Sequence, residues 1–200
     1  MKKISVLFFL ISFLFGYSQV EEFKTADDIY NKKMKTLLKK FPKESIERFK
    51  QEKVLLDEKI LSYKKTLEKI NIEEQKGITE YPAPSVPPVT KRPEFELGES
   101  QFKALLFSAY ADNISSLNYN ISSPTYTARL TCAVDSKGYV YDVRVKGKNS
   151  NINTFILAAF YRIKDKGKWK PAEINGQPIL YGFSYPITLK FQEAESDFTE

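Results

Sequence analysis

Glu94, Glu96 and Glu99 crowd into a short stretch, and two carboxylates at one site can act as general acid and general base. Their positions argue against that use here. They fall in a linker and at a helix start, so nothing brings the three carboxyl groups together. The chain has no histidine, which removes the commonest general base and the commonest metal ligand. Its single cysteine, Cys132, lies on the apolar side of an alternating segment and reads as a small buried hydrophobe. A lone cysteine cannot form an internal disulfide. No nucleophile motif is present. These residues point away from an enzyme, and they call for no catalytic residues, no metal and no cofactor. The net charge of +6 is mild and mixed in sign, which gives no footprint for nucleic acid.

The elements that would position any site begin with an export signal. Lys2 and Lys3 precede an apolar run over 4–15, with Gly16 and Ser18 as the small residues of a cleavage site. Residues 1–18 therefore read as a signal peptide, with a mature start at Gln19 and a periplasmic destination. An uncleaved segment would instead anchor the chain in the inner membrane. The run spans about 18 Å as a helix, short of a hydrocarbon core of about 30 Å.

Residues 19–77 form a charged helical region. Thr25-Ala26-Asp27-Asp28 resembles a capping box, and Tyr30, Met34, Leu37 and Phe41 then make one apolar stripe. Phe41-Pro42 breaks it. Ile46, Phe49, Lys53, Leu56, Ile60, Tyr63, Leu67 and Ile70 alternate three- and four-residue spacings, a heptad seam that ends near Gly77. Such a region is a helical hairpin, a coiled coil that makes a homo-oligomer, or a pair of helices docked onto the C-terminal domain. Residues 78–93 hold a proline-rich linker, Tyr81-Pro82-Ala83-Pro84-Ser85-Val86-Pro87-Pro88-Val89, expected to be extended.

Residues 94–192 have the pattern of a small α+β domain. A helix over about 99–113 places Phe102, Leu105, Leu106 and Ala109 on one face. Tyr126, Ala128, Leu130, Cys132 and Val134 alternate with Thr127, Arg129, Thr131 and Ala133, as in a half-buried strand. Asp135-Ser136-Lys137-Gly138 makes a hairpin turn. The next strand should put Tyr139, Tyr141, Val143 and Val145 on one face. A second helix is capped by Asn149 or Ser150, buries Ile152, Phe155, Ile156, Ala159, Phe160 and Ile163, and stops at Gly167. Trp169 reads as a core anchor and Asn175-Gly176 as a turn. A last long strand carries Ile179, Tyr181, Phe183, Tyr185, Ile187, Leu189 and Phe191 on one face. Pro186 requires at least one edge of that strand to be unpaired. Two helices on one face of a three-stranded antiparallel sheet would bury every stripe. Residues 193–200 form an acidic tail.

Several of these stretches, in order, resemble the TonB C-terminal domain family. They are Pro93-Glu94-Phe95 with the first helix, Val134-Asp135-Ser136-Lys137-Gly138-Tyr139-Val140 at the hairpin, and Trp169-Lys170-Pro171-Ala172 with Asn175-Gly176-Gln177-Pro178 before the last strand. The match covers about 93–192. It implies a periplasmic module that captures an extended peptide by adding it as a strand to a sheet edge. The partner would be an outer-membrane TonB-dependent receptor or another envelope protein. The implied binding residues are Leu180, Gly182, Phe183, Ser184, Tyr185 and Thr188. The motif residues Trp169, Pro171, Asn175, Gly176 and Pro178 would be structural. Energy-coupled transport through inner-membrane motor proteins would follow only from an uncleaved N-terminus. The alternative is a structural, oligomerising adaptor. Asn113-Ile114-Ser115-Ser116 stands where many members have Tyr-Pro.

Overall fold

The structure is a computed structural model that describes residues 2–78, 81, 88–115 and 125–191, with side chains from residue 20 onward except at 112 and 115. The proline-rich run up to Pro87 (Tyr81 apart) and the acidic tail lie outside the described residues. The chain divides into two compact units, 1–76 and 77–200.

The first unit is an antiparallel pair of helices, α1 (Lys2–Lys40) and α2 (Ile46–Gly77). The break falls at Phe41-Pro42, and the Ser45 hydroxyl caps α2 by accepting the Arg48 N–H at 3.0 Å. Pairs along the two helices fix their direction. Lys33 meets Glu58, Asp27 meets Lys59 and Tyr63, and Glu22 meets Thr66 and Lys69. Phe23 packs edge-on against Tyr63 with centroids 5.1 Å apart. Within one chain the region thus forms a helical hairpin.

Three details differ from the sequence expectation. Thr25 does not start a helix, because α1 runs through it, and Asp27 turns to Lys59 rather than to a cap. Lys59 and Thr66 join the buried face of α2, each neutralised by a polar partner from α1. Ile46 and Phe49 stay exposed, since a two-helix hairpin has no third layer to close over its turn end.

The second unit is α+β and follows the order β1 (Glu94–Phe95), α3 (Gly98–Ser115), β2 (Thr125–Val134), β3 (Val140–Gly147), α4 (Ser150–Ile163), β4 (Trp169–Lys170), β5 (Ala172–Ile174), β6 (Gln177–Ile179) and β7 (Tyr181–Lys190). Its main sheet is antiparallel, three-stranded and ordered β3-β2-β7. The apolar faces of β2 and α4 are buried as their alternation and helical spacing require. Asn149 is the cap of α4 and accepts the N–H groups of Asn151 and Ile152. Asp135 closes the β2–β3 turn by accepting from the N–H groups of Lys137 and Tyr139. Gly138 has φ +85°, and a side chain there would run into the Trp169 carbonyl.

Strand β3 does not keep one phase. Thr131 faces Arg144 and Ala133 faces Tyr141, so β3 carries one extra residue at Asp142, whose φ is 51°. A bulge of one residue exchanges the two faces of a strand. Val143 and Val145 therefore stay on the core side while Tyr139 and Tyr141 leave it. Tyr139 is 56% exposed. Ala133, expected to face outward into solvent, is buried between its neighbours Gly182 and Tyr141.

The run before the last strand also divides. Ala172–Ile174 and Gln177–Ile179 form their own hairpin around Asn175 (φ 50°) and Gly176 (φ 80°), and the long strand starts only at Tyr181. Gly167 does not cap α4, whose cap is Lys164. It leaves room for the Phe95 ring.

Candidate functional site

Strand β7 pairs with β2 along its whole length, from Tyr181 opposite Val134 to Lys190 opposite Thr125. No described strand pairs with its other side, so β7 is an edge. The direction of its backbone groups follows from the neighbouring turn. The Asp135 N–H donates to the Tyr139 carbonyl at 3.0 Å, so Asp135 faces β3. Alternation then turns Val134, Cys132, Leu130, Ala128 and Tyr126 toward β7. Their partners are Tyr181, Phe183, Tyr185, Ile187 and Leu189. The intervening Gly182, Ser184, Pro186 and Thr188 direct their backbone groups to the open side. Pro186 has no donor to lose there, which explains why the strand accepts it.

A groove of about 610 Å³ runs beside this edge. One wall is β7 from Tyr181 to Pro186, and the other is Arg92, Pro93, Glu94 and Phe95 with Glu99, Phe102 and Lys103 of α3. The entry segment is held firmly. Glu94 and Phe95 pair with Lys170 and Trp169, Glu96 N–H donates to the Lys168 carbonyl at 2.8 Å, and Lys91 bridges to Glu173. Glu94 and Phe95 are thus a short strand where the sequence suggested linker.

The groove floor is aromatic. Trp169 is buried, donates its indole N–H to the Lys164 carbonyl at 3.0 Å, and meets Phe95, Phe102, Phe160 and Phe183 at centroid distances of 5.1 to 6.1 Å. Phe102 stands edge-on to Phe183 at 5.9 Å and to Tyr185 at 5.2 Å. The rings of Phe183 and Tyr185 are parallel, 6.4 Å apart.

The rim is charged. Lys103 pairs with Glu99 at 2.8 Å and lies 5.9 Å from the Tyr185 ring centre. The bond to Glu99 raises the Lys103 pKa. Burial raises that of the Tyr185 phenol, against the opposing pull of Lys103. Tyr110, deeper in α3, is pushed up to about 12 by burial, and the nearby Tyr185 adds to the effect.

The implied binding residues divide into two kinds. Gly182, Ser184 and Thr188 supply edge backbone, whereas Phe183 and Tyr185 supply side chains to the groove. Leu180 does neither as a strand residue, because it falls in the break between β6 and β7. Among the motif residues, Trp169 is core, Asn175 and Gly176 make the β5–β6 turn, Pro178 pairs with Glu173, and Pro171 joins β4 to β5. The groove's second wall, including Phe95, Phe102 and Arg92, was not legible as part of a site. The entry segment is far from β7 in sequence and reaches it only by pairing with β4.

The three carboxylates do not converge. Glu99 pairs with Lys103, Glu94 lies 3.6 Å from Lys170, and Glu96 accepts the Lys168 N–H. Among the described residues no cluster of His, Cys, Asp and Glu could hold a metal ion. Cys132 is buried on the core face of β2 and forms no disulfide. A hollow of about 520 Å³ on the helical hairpin is lined partly by Glu22 and Lys69, which pair with each other. Among the described residues no helix is long and apolar enough to cross a membrane. No protein-family model, curated protein or solved structure matches the chain.

Proposed function

We propose that this protein is a binding module of the TonB C-terminal kind that captures an extended peptide by strand addition to β7. The observation that carries the proposal is the open edge at Gly182, Ser184 and Pro186 lying directly beside a groove with an aromatic floor. Strand addition draws affinity from backbone hydrogen bonds and specificity from pockets for alternate side chains. Both requirements meet here within one short stretch of β7. The partner on this reading is the extended segment of an outer-membrane receptor or another envelope protein, in the periplasm. Energy coupling would additionally require the N-terminal segment to remain as an anchor.

Ser184→Pro is the direct test. The N–H of Ser184 faces the open side, so proline removes an edge donor and leaves the β2–β7 ladder intact. Partner binding in a pull-down from envelope extracts should be lost while the circular dichroism spectrum and melting temperature stay near those of the parent. Retained capture by a folded Ser184→Pro protein would rule out strand addition at β7.

A further inference from the structure

Resting on the strand-addition reading, we propose that the groove selects an extended peptide carrying an aromatic side chain, with a carboxylate two residues away.

The aromatic preference follows from a change of burial along one face of one strand. On the core face of β7, Ile187 and Leu189 are buried, but Tyr181, Phe183 and Tyr185 are only half-buried. The three half-buried residues are all aromatic, and all line the groove. Within β7 the ring surface left open lies at this groove end, away from the buried Ile187 and Leu189. A strand added along Gly182 to Pro186 would place every second side chain on this face, beside Phe183 and Tyr185 and above Phe102. An aromatic side chain would continue the edge-on contacts that Phe102 already makes with both rings.

The carboxylate follows from the rim charges. Glu99 is paired with Lys103, and Glu94 lies near Lys170. Arg92 lines the same groove and has no ion pair among the described residues. Its guanidinium is the rim's unmatched charge, and a carboxylate is its natural bidentate partner. Side chains on one face of a strand recur every second residue, so two positions is the shortest separation that keeps both groups on the groove face, and it is the one we assign.

The test uses the full chain and fluorescence anisotropy with labelled, end-blocked octapeptides. Two parents, Thr-Thr-Thr-Phe-Thr-Glu-Thr-Thr and Thr-Thr-Glu-Thr-Phe-Thr-Thr-Thr, cover both directions of entry. Each is compared with its Phe→Ala and Glu→Lys relatives. One parent should bind, with about tenfold loss on Phe→Ala, in line with an aromatic contact plus its buried area. Glu→Lys should also weaken it, and Arg92→Glu protein should reverse that preference. Arg92 is exposed, so this variant keeps the fold.

Equal binding of the Phe and Ala peptides, still abolished by Ser184→Pro, would overturn the selectivity and leave strand addition standing. Binding that survives Ser184→Pro, or no binding by any peptide, would overturn both. Self-association that Ser184→Pro abolishes would make a second copy the occupant and overturn the peptide proposal.

Discussion

Tyr110 links the core to the groove through a single phenol. Burial and the neighbouring Tyr185 hold its pKa at about 12, against an ordinary value of 10.0. Between those two values the folded protein keeps a proton that the unfolded chain has released. Stability from this group is therefore complete below pH 10 and is lost as pH rises toward 12. Urea unfolding of Tyr110→Phe should show a shallower fall over that window than the parent, while an unchanged slope would mean that other groups control alkaline unfolding. The apolar stripe of Phe102, Leu105, Leu106 and Ala109 assigns Tyr110 to no particular face of its helix. Cys132, Trp169 and Asn149 were legible because each role needs only local pattern. Arg92 was not, because its importance lies in what its neighbours pair with.

At the scale of elements, the polar layer of the helical hairpin sets its register. The Lys59 ammonium is 2.7 Å from Asp27, and it lies over the rings of Tyr30 and Tyr63 at 4.5 and 5.7 Å. Lys59→Ala should destabilise this unit by about 3 kcal/mol, the lower end for a broken buried pair because Asp27 keeps some solvent. Loss of the helical signal at lower urea checks it, and a change within error would mean that the pair is neutral. A heptad count on α2 found Leu56, Ile60, Tyr63 and Ile70 but not Lys59, because hydrophobic spacing cannot see a charge neutralised from another helix. The same limit applies in β3. Alternation is read as unbroken until a backbone at φ 51° shifts it, and nothing in Tyr141-Asp142-Val143 announces that shift.

The whole chain carries its candidate site within one unit. Every residue of the groove lies between Arg92 and Pro186, and the segment that forms its far wall is paired to β4 and β5 of the same unit. Residues 88–200 produced alone should therefore melt cooperatively and bind the groove peptide with unchanged affinity. A truncated chain that folds but binds more than tenfold weaker would assign part of the site to the helical hairpin. The order helix, hairpin, helix, long strand was visible in the sequence. The small β1–β4 and β5–β6 ladders were not, because strands of two or three residues leave no periodic signal.

The bulge at Asp142 has a consequence for stoichiometry. A three-stranded sheet has two borders, and each is a template for another chain. The β3 border is interrupted by the extra residue and carries Arg144 and Lys146 as exposed charges, whereas the β7 border runs without a break in register. Growth of the sheet is thereby polarised. One border is blunted against pairing, and on the strand-addition reading a single guest strand at the other would complete the sheet without propagating a chain of subunits.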